Sequence, residues 1–119
     1  MILNKYYKNF EGEPQINFVT QKKDEFNIWE GYFYILMEYM FDQGSNILSD
    51  FYSREDDDKP WEINDIKSLI LQLESFDIKK IDLNEQTEIK EILPELINDI
   101  KNFLVKAFNT NQKVYIIID

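Results

Sequence analysis

The chain has 119 residues, a net charge of −10, 44% hydrophobic and 15% aromatic residues, and neither cysteine nor histidine. That length supports one domain (residues 1–119) with its own core, and the apolar content excludes disorder despite the acidity. Without cysteine there is no disulfide, thiolate metal site or cysteine nucleophile, and without histidine the commonest general base is gone.

At the N-terminus, Met1, Ile2, Leu3, Asn4, Lys5 and Tyr6 do not form a basic stretch followed by an apolar run, so no signal peptide is expected. The longest dense apolar run, residues 32–37, is far shorter than the roughly 20 residues that span a bilayer. The expectation is a soluble cytoplasmic protein. Gln15–Thr20 reads as a strand, entered through the turn-prone Glu11, Gly12, Glu13 and Pro14. Residues 25–43 read as a central helix. Phe26, Trp29, Phe33, Leu36 and Met40 form one stripe, Ile28, Tyr32, Ile35 and Tyr39 a second, and Gly44 is the stop. Residues 46–52 fit neither period clearly, and 53–60 read as a loop.

A second helix is expected over 62–76, with Ile63, Ile66, Leu69, Ile70 and Leu73 on one face. The third has the clearest pattern: Ile89, Ile92, Leu93, Leu96, Ile97, Ile100, Phe103, Leu104 and Phe108 recur at helical spacing. Pro94 removes an N–H and disfavours helix at Leu93, so the helix either kinks there or starts with Pro94 in its first turn. The second arrangement costs less and places the helix at 94–108, with residues 88–93 as a separate turn. Asn109 to Gln112 ends it, and the β-branched run Val114–Ile118 reads as a buried strand over 113–118. Helices between two terminal strands predict an α+β domain in which those strands share a small sheet.

The charge is concentrated. Residues 30–65 carry ten carboxylates (Glu30, Glu38, Asp42, Asp50, Glu55, Asp56, Asp57, Asp58, Glu62 and Asp65) against Arg54 and Lys59, a net −8. The other 83 residues carry 13 acids against 11 lysines, a net −2. An acidic surface is repelled by nucleic-acid backbone and anionic lipid, so neither is expected as a direct partner. Paired carboxylates can do acid–base chemistry, but 23 acids in this length guarantee accidental pairs. The three glycines have no phosphate-cradling spacing. No catalytic activity and no cofactor are expected. The run Glu55, Asp56, Asp57 and Asp58 suggests a hard cation, yet an EF-hand loop counted from Asp56 puts Trp61 where glycine is required. No metal is expected either.

Adjacent aspartates repel one another, and a cationic partner relieves that repulsion. Tyr52 and Trp61 flank the loop, and large aromatics beside carboxylates are the composition of an interface anchor. The competing reading packs Trp61 on the core and leaves the acids solvated. Arg54, the only arginine, is placed to pair with Glu55 or Asp57. A second set of partner-binding candidates lies on the polar strip of the first helix at Glu30, Tyr34 and Glu38.

In size, acidity, clustered Asp/Glu with Tyr/Trp, and a Lys/Asn/Ile-rich, arginine-poor composition, the chain resembles bacterial immunity proteins of contact-dependent growth inhibition and other polymorphic toxin systems. The resemblance implies a preformed acidic face that covers the cleft of a cognate basic toxin, commonly a nuclease. It carries no residue across by position. The alternatives are a nucleic-acid mimic of the phage anti-defence type, with a broader and less aromatic acidic surface, and a non-enzymatic adaptor module.

Overall fold

A computed structural model describes residues 1–40, 46–55, 59–76, 79 and 87–119. Two strands, β2 (Gln15–Thr20) and β3 (Glu25–Trp29), form an antiparallel hairpin at its centre. The turn between them is closed by Lys23 N–H donating to Thr20 O at 2.9 Å, with Lys23 at φ 70° and Thr20 Oγ1 accepting from Asp24 N–H at 3.1 Å. A left-handed residue after a tight turn suits the twist of a hairpin. The C-terminal strand β5 (Val114–Ile118) lies antiparallel to β2, and the two-residue β4 (Trp61–Glu62) closes that edge. Strand β1 (Ile2–Tyr6) runs parallel to β3 at the other edge, giving the order β1-β3-β2-β5-β4.

Four helices complete the α+β fold: α1 (Glu30–Tyr39), α2 (Ile47–Tyr52), α3 (Ile66–Glu74) and α4 (Thr87–Asn109). They share one core with the sheet face that carries Ile16, Phe18, Phe26, Ile28, Val114 and Ile116, each at most 1% exposed. The rings of Phe26 and Phe103 lie 5.7 Å apart, so α4 seats directly on β3. Full burial of such side chains stabilises the fold by about 1.5–3 kcal/mol each. Tyr6 extends the contact. Its ring stacks on Phe26, and its hydroxyl donates to Asp99 Oδ2 on α4 at 2.5 Å. Among the described residues no helix is long and apolar enough to cross a membrane.

The expected strands at 15–20 and 113–118 are present and are neighbours in the sheet. Residues 25–29 are a strand, not the start of a helix as expected. Phe26, Trp29 and Phe33 do fit helical spacing, but Phe26 and Ile28 with Asn27 between them fit a period of two equally well. The turn at 20–24 decides the matter by setting Glu25 opposite Val19, after which the ladder runs to Gln15–Trp29. Trp29 is still extended, at ψ 138°, and α1 begins only after it. Gly31 then has a steric role, because a Cβ there would lie 2.4 Å from the Trp29 indole. Residues 41–45, including the expected stop at Gly44, lie outside the described residues.

Three further differences have local causes. Residues 46–52 contain α2, started by a capping box: Asn46 Oδ1 accepts from Ser49 N–H at 2.9 Å, and Ser49 Oγ accepts from Asn46 N–H at 2.8 Å. The second helix starts at Ile66, not 62, because Trp61 and Glu62 are paired with β5 and Asp65 caps the helix. Asp65 accepts from both Ser68 N–H and Ser68 Oγ–H, at 3.0 and 2.7 Å, which holds its carboxyl below the usual value.

Finally, α4 runs from Thr87 through Pro94 to Asn109 without a break. An interior proline costs about 3 kcal/mol. The buried Leu93, with Ile89 and Ile92 also on the core, offsets that cost by keeping the preceding turns helical. A Schellman closure ends α4. Gln112 N–H donates to Ala107 O at 2.9 Å and Asn111 N–H to Phe108 O at 3.2 Å, with Asn111 at φ 55°.

Candidate functional site

Burial of Tyr32, Phe33 and Leu36 fixes the rotation of α1 about its axis. Glu30, Tyr34 and Glu38, spaced by four, therefore share its outward stripe. Tyr34 is 48% exposed, Glu38 is exposed and Glu30 half-buried. The short helix α2 then delivers Tyr52, 41% exposed, edge-on to Tyr34 with ring centroids 5.9 Å apart. Burial pushes the Tyr52 hydroxyl above its usual pKa, and the negative charge of Glu30 and the neighbouring Tyr34 add to the shift. The phenol stays neutral in the physiological range and keeps its proton as a hydrogen-bond donor.

A chain of ring contacts fixes this pair from below. Tyr52 stacks on buried Phe33 at 6.3 Å, Phe33 meets buried Phe51 at 5.6 Å, and Phe51 meets Trp61 at 5.8 Å. Trp61 is half-buried on the core side of β4, opposite Ile116. It thus connects to Tyr52 through two phenylalanines instead of standing beside it as a second exposed anchor. Arg54 places its guanidinium 4.0 Å from the Phe51 ring centroid and donates to Phe51 O at 2.9 Å. These contacts hold the C-terminal end of α2. Glu55 is exposed just after it, and Asp56, Asp57 and Asp58 lie outside the described residues.

The structure therefore brings Glu30, Tyr34 and Tyr52 together, puts Glu38 one turn further along the same stripe, and ties Trp61 in from the sheet. The product is a rigid patch of two phenols with carboxylates around it. Such a patch can donate hydrogen bonds, stack on apolar or cationic groups and attract positive charge. Among the described residues, no group of three Asp, Glu, His or Cys side chains is arranged to hold a metal ion.

A second polar cluster joins β1 to α4. Lys5 pairs with Glu95 and lies 3.5 Å from Asp99, which also accepts from Tyr6. Burial first, and the hydrogen bond to Asp99 second, hold the Tyr6 phenol far above its usual pKa. It is a clamp between strand and helix, since a phenol held so firmly in its neutral form is a poor base.

Asn17 and Asn27 escaped the sequence reading. Each stands between two core residues (Ile16 and Phe18, Phe26 and Ile28), yet alternation turns it to the opposite sheet face. The available signal was an amide at the midpoint of two otherwise apolar strands. Comparison with protein-family models, curated proteins and solved structures finds no match for this chain.

Proposed function

We propose that this chain is an immunity protein that binds a cognate basic toxin domain, of the nuclease kind, in the cytoplasm and neutralises it without catalysis. The observation that carries this reading is the exposed Tyr34–Tyr52 pair, set edge to face on a buried aromatic base and flanked by Glu30 and Glu38. A nuclease is basic around its cleft because it must attract phosphate, so an inhibitor gains association rate from a net charge of −10. Charge supplies encounter. Fixed aromatic rings supply the desolvated contact that slows dissociation. By sequence, Glu55, Asp56, Asp57 and Asp58 add to the steering field. A nucleic-acid mimic would have little use for exposed phenol rings among its carboxylates.

The test is genetic and then kinetic. The gene directly upstream should encode a large protein whose C-terminal domain arrests growth when expressed alone, and co-expression of this chain should restore growth. Tyr34→Ala with Tyr52→Ala should leave the protein folded and raise the dissociation rate by about 30-fold, the equivalent of roughly 2 kcal/mol. An upstream gene without toxic activity, or a toxin that this chain does not neutralise, would sink the reading.

A further inference from the structure

The helices share a core with one face of the sheet, and the opposite face is the outer one. Strand pairing sets Ile2, Glu25, Val19, Tyr115 and Glu62 in one row across it, with Asn27, Asn17 and Ile117 in the next. At one end Phe10 stacks on Trp29, with ring centroids 4.1 Å apart. Towards the other end Val19, Tyr115 and Ile117 are half-buried and line an open groove of about 420 Å³, completed by Gln21, Lys23 and Pro60. Ile2, on the edge strand, is 61% exposed. Asn17 and Asn27 are already buried, with acceptors out of contact with water, so covering this face adds no desolvation there.

Charge decides what can cover it. Residues 1–29 and 110–119, which supply β1, β2, β3 and β5, carry five lysines against five acids and are neutral as a set. Residues 30–109, which supply α1 to α4, carry 18 acids against eight cations, the whole of the −10. On the outer face Glu62 is paired with Lys113 at 3.8 Å, and Glu25 is two residues from Lys23, of opposite sign. A basic partner gains no steering from a neutral surface and is drawn to the helix side instead. A second copy of this chain is in the reverse position. Two bodies of like charge repel least when they meet through their neutral sides, with the helix layers outward. Five strands about 4.8 Å apart and about 16 Å long form a face of about 400 Å², which side-chain relief enlarges. Two such faces bury about 1,000 Å² in total, the low end for a specific interface, so the contact is weak.

We propose that two copies of this chain associate sheet to sheet about a two-fold axis, burying Val19, Tyr115 and Ile117 of each in the contact. A symmetric pair is the closed arrangement open to one self-complementary face. Sheets about 10 Å apart let such side chains interdigitate. The Tyr34–Tyr52 patch lies in the helix layer and stays uncovered, so the dimer presents two of them. Self-association needs no toxin and therefore stands or falls separately from the toxin reading.

The test is equilibrium sedimentation of the full chain, with Kd for the dimer expected at about 10–100 μM. Ile117→Lys and, separately, Val19→Lys should each weaken association by about tenfold or more, with melting temperature measured alongside. Phe108→Lys, at a site 48% exposed on α4, should change nothing. Raising salt from about 0.05 to about 0.3 M should tighten association by about threefold, because repulsion between like-charged bodies is screened. Dilution of the wild type followed by ¹⁵N NMR locates the contact without any substitution: the signals of Val19, Tyr115 and Ile117 should move and those of α1 should not. A chain still monomeric at about 500 μM and about 0.3 M salt would overturn the proposal and leave this face to another partner. So would a dimer that survives both lysine variants, one that Phe108→Lys abolishes, one that salt loosens, or dilution shifts confined to α1 and α2.

Discussion

The two faces of the sheet are built from alternate residues of the same strands, yet they obey different rules. On the helix side every central position is apolar and essentially inaccessible: Ile16, Phe18, Phe26, Ile28, Val114 and Ile116. On the other side the centre holds two amides, nearly as buried, whose acceptors are unsatisfied, with carboxylates and a shallow groove around them. The first face maximises stability. The second gives up some stability at its centre, where two buried acceptors stay unpaired. Burial alone therefore does not identify the core here. Chemistry at equal burial separates the two faces.

The sharpest way to test that contrast is to truncate both faces at neighbouring positions. Phe18→Ala should lower unfolding free energy by about 3–5 kcal/mol, because it opens a cavity in the core that close-packed neighbours cannot fill. Denaturant unfolding measures this, and a loss below 1 kcal/mol would mean that the face is not the close-packed one. One residue earlier, the sign should reverse. Asn17→Val together with Asn27→Val should raise stability by about 1–2 kcal/mol, since two unpaired acceptors are removed from a buried position. A destabilised double variant would show that the amides serve the fold after all.

The smallest effect lies at the covered face's margin, in the Tyr6–Asp99 clamp. Burial and Asp99 raise the Tyr6 pKa in the folded chain, so the folded state holds this proton more tightly than the unfolded state does. Its contribution is then complete below the unfolded tyrosine value of about 10 and declines as pH rises above it. Tyr6→Phe should cost about 1 kcal/mol at neutral pH and flatten the alkaline fall in stability. If wild type and variant lose stability in parallel between about pH 9 and 11, the clamp is not formed as described.

Much of this architecture was legible before any coordinates. The stripes of α3 and α4 and the β-branched run of β5 read correctly because each buries one continuous face and so carries a period that no alternative structure shares. The hairpin's second strand was not legible. Phe26, Ile28 and Trp29 satisfy both a helical and an extended period, and five residues are too few to separate the two. Strand β1 gave little signal for a related reason: as an edge strand it buries only Tyr6, and Ile2 to Lys5 are exposed. Within the candidate patch, Glu30, Tyr34 and Glu38 could be named from their spacing. That Tyr52 would meet Tyr34, and that Trp61 would be set back behind Phe51, depended on how α2 and β4 fold against the rest.

By itself the sequence determined the α+β class, the outward stripe of α1, the concentration of negative charge in one third of the chain and the absence of histidine and cysteine chemistry. These are local or additive properties, set by side-chain period and by counting. Tertiary structure alone decided where residue 25 pairs, that α4 continues through Pro94, and which face of the sheet the helices occupy. In each case two local conformations of similar free energy competed, and the area buried against a distant segment selected one. That selection also turned Asn17 and Asn27 away from the core, and so produced a surface whose chemistry cannot be read from either strand taken alone.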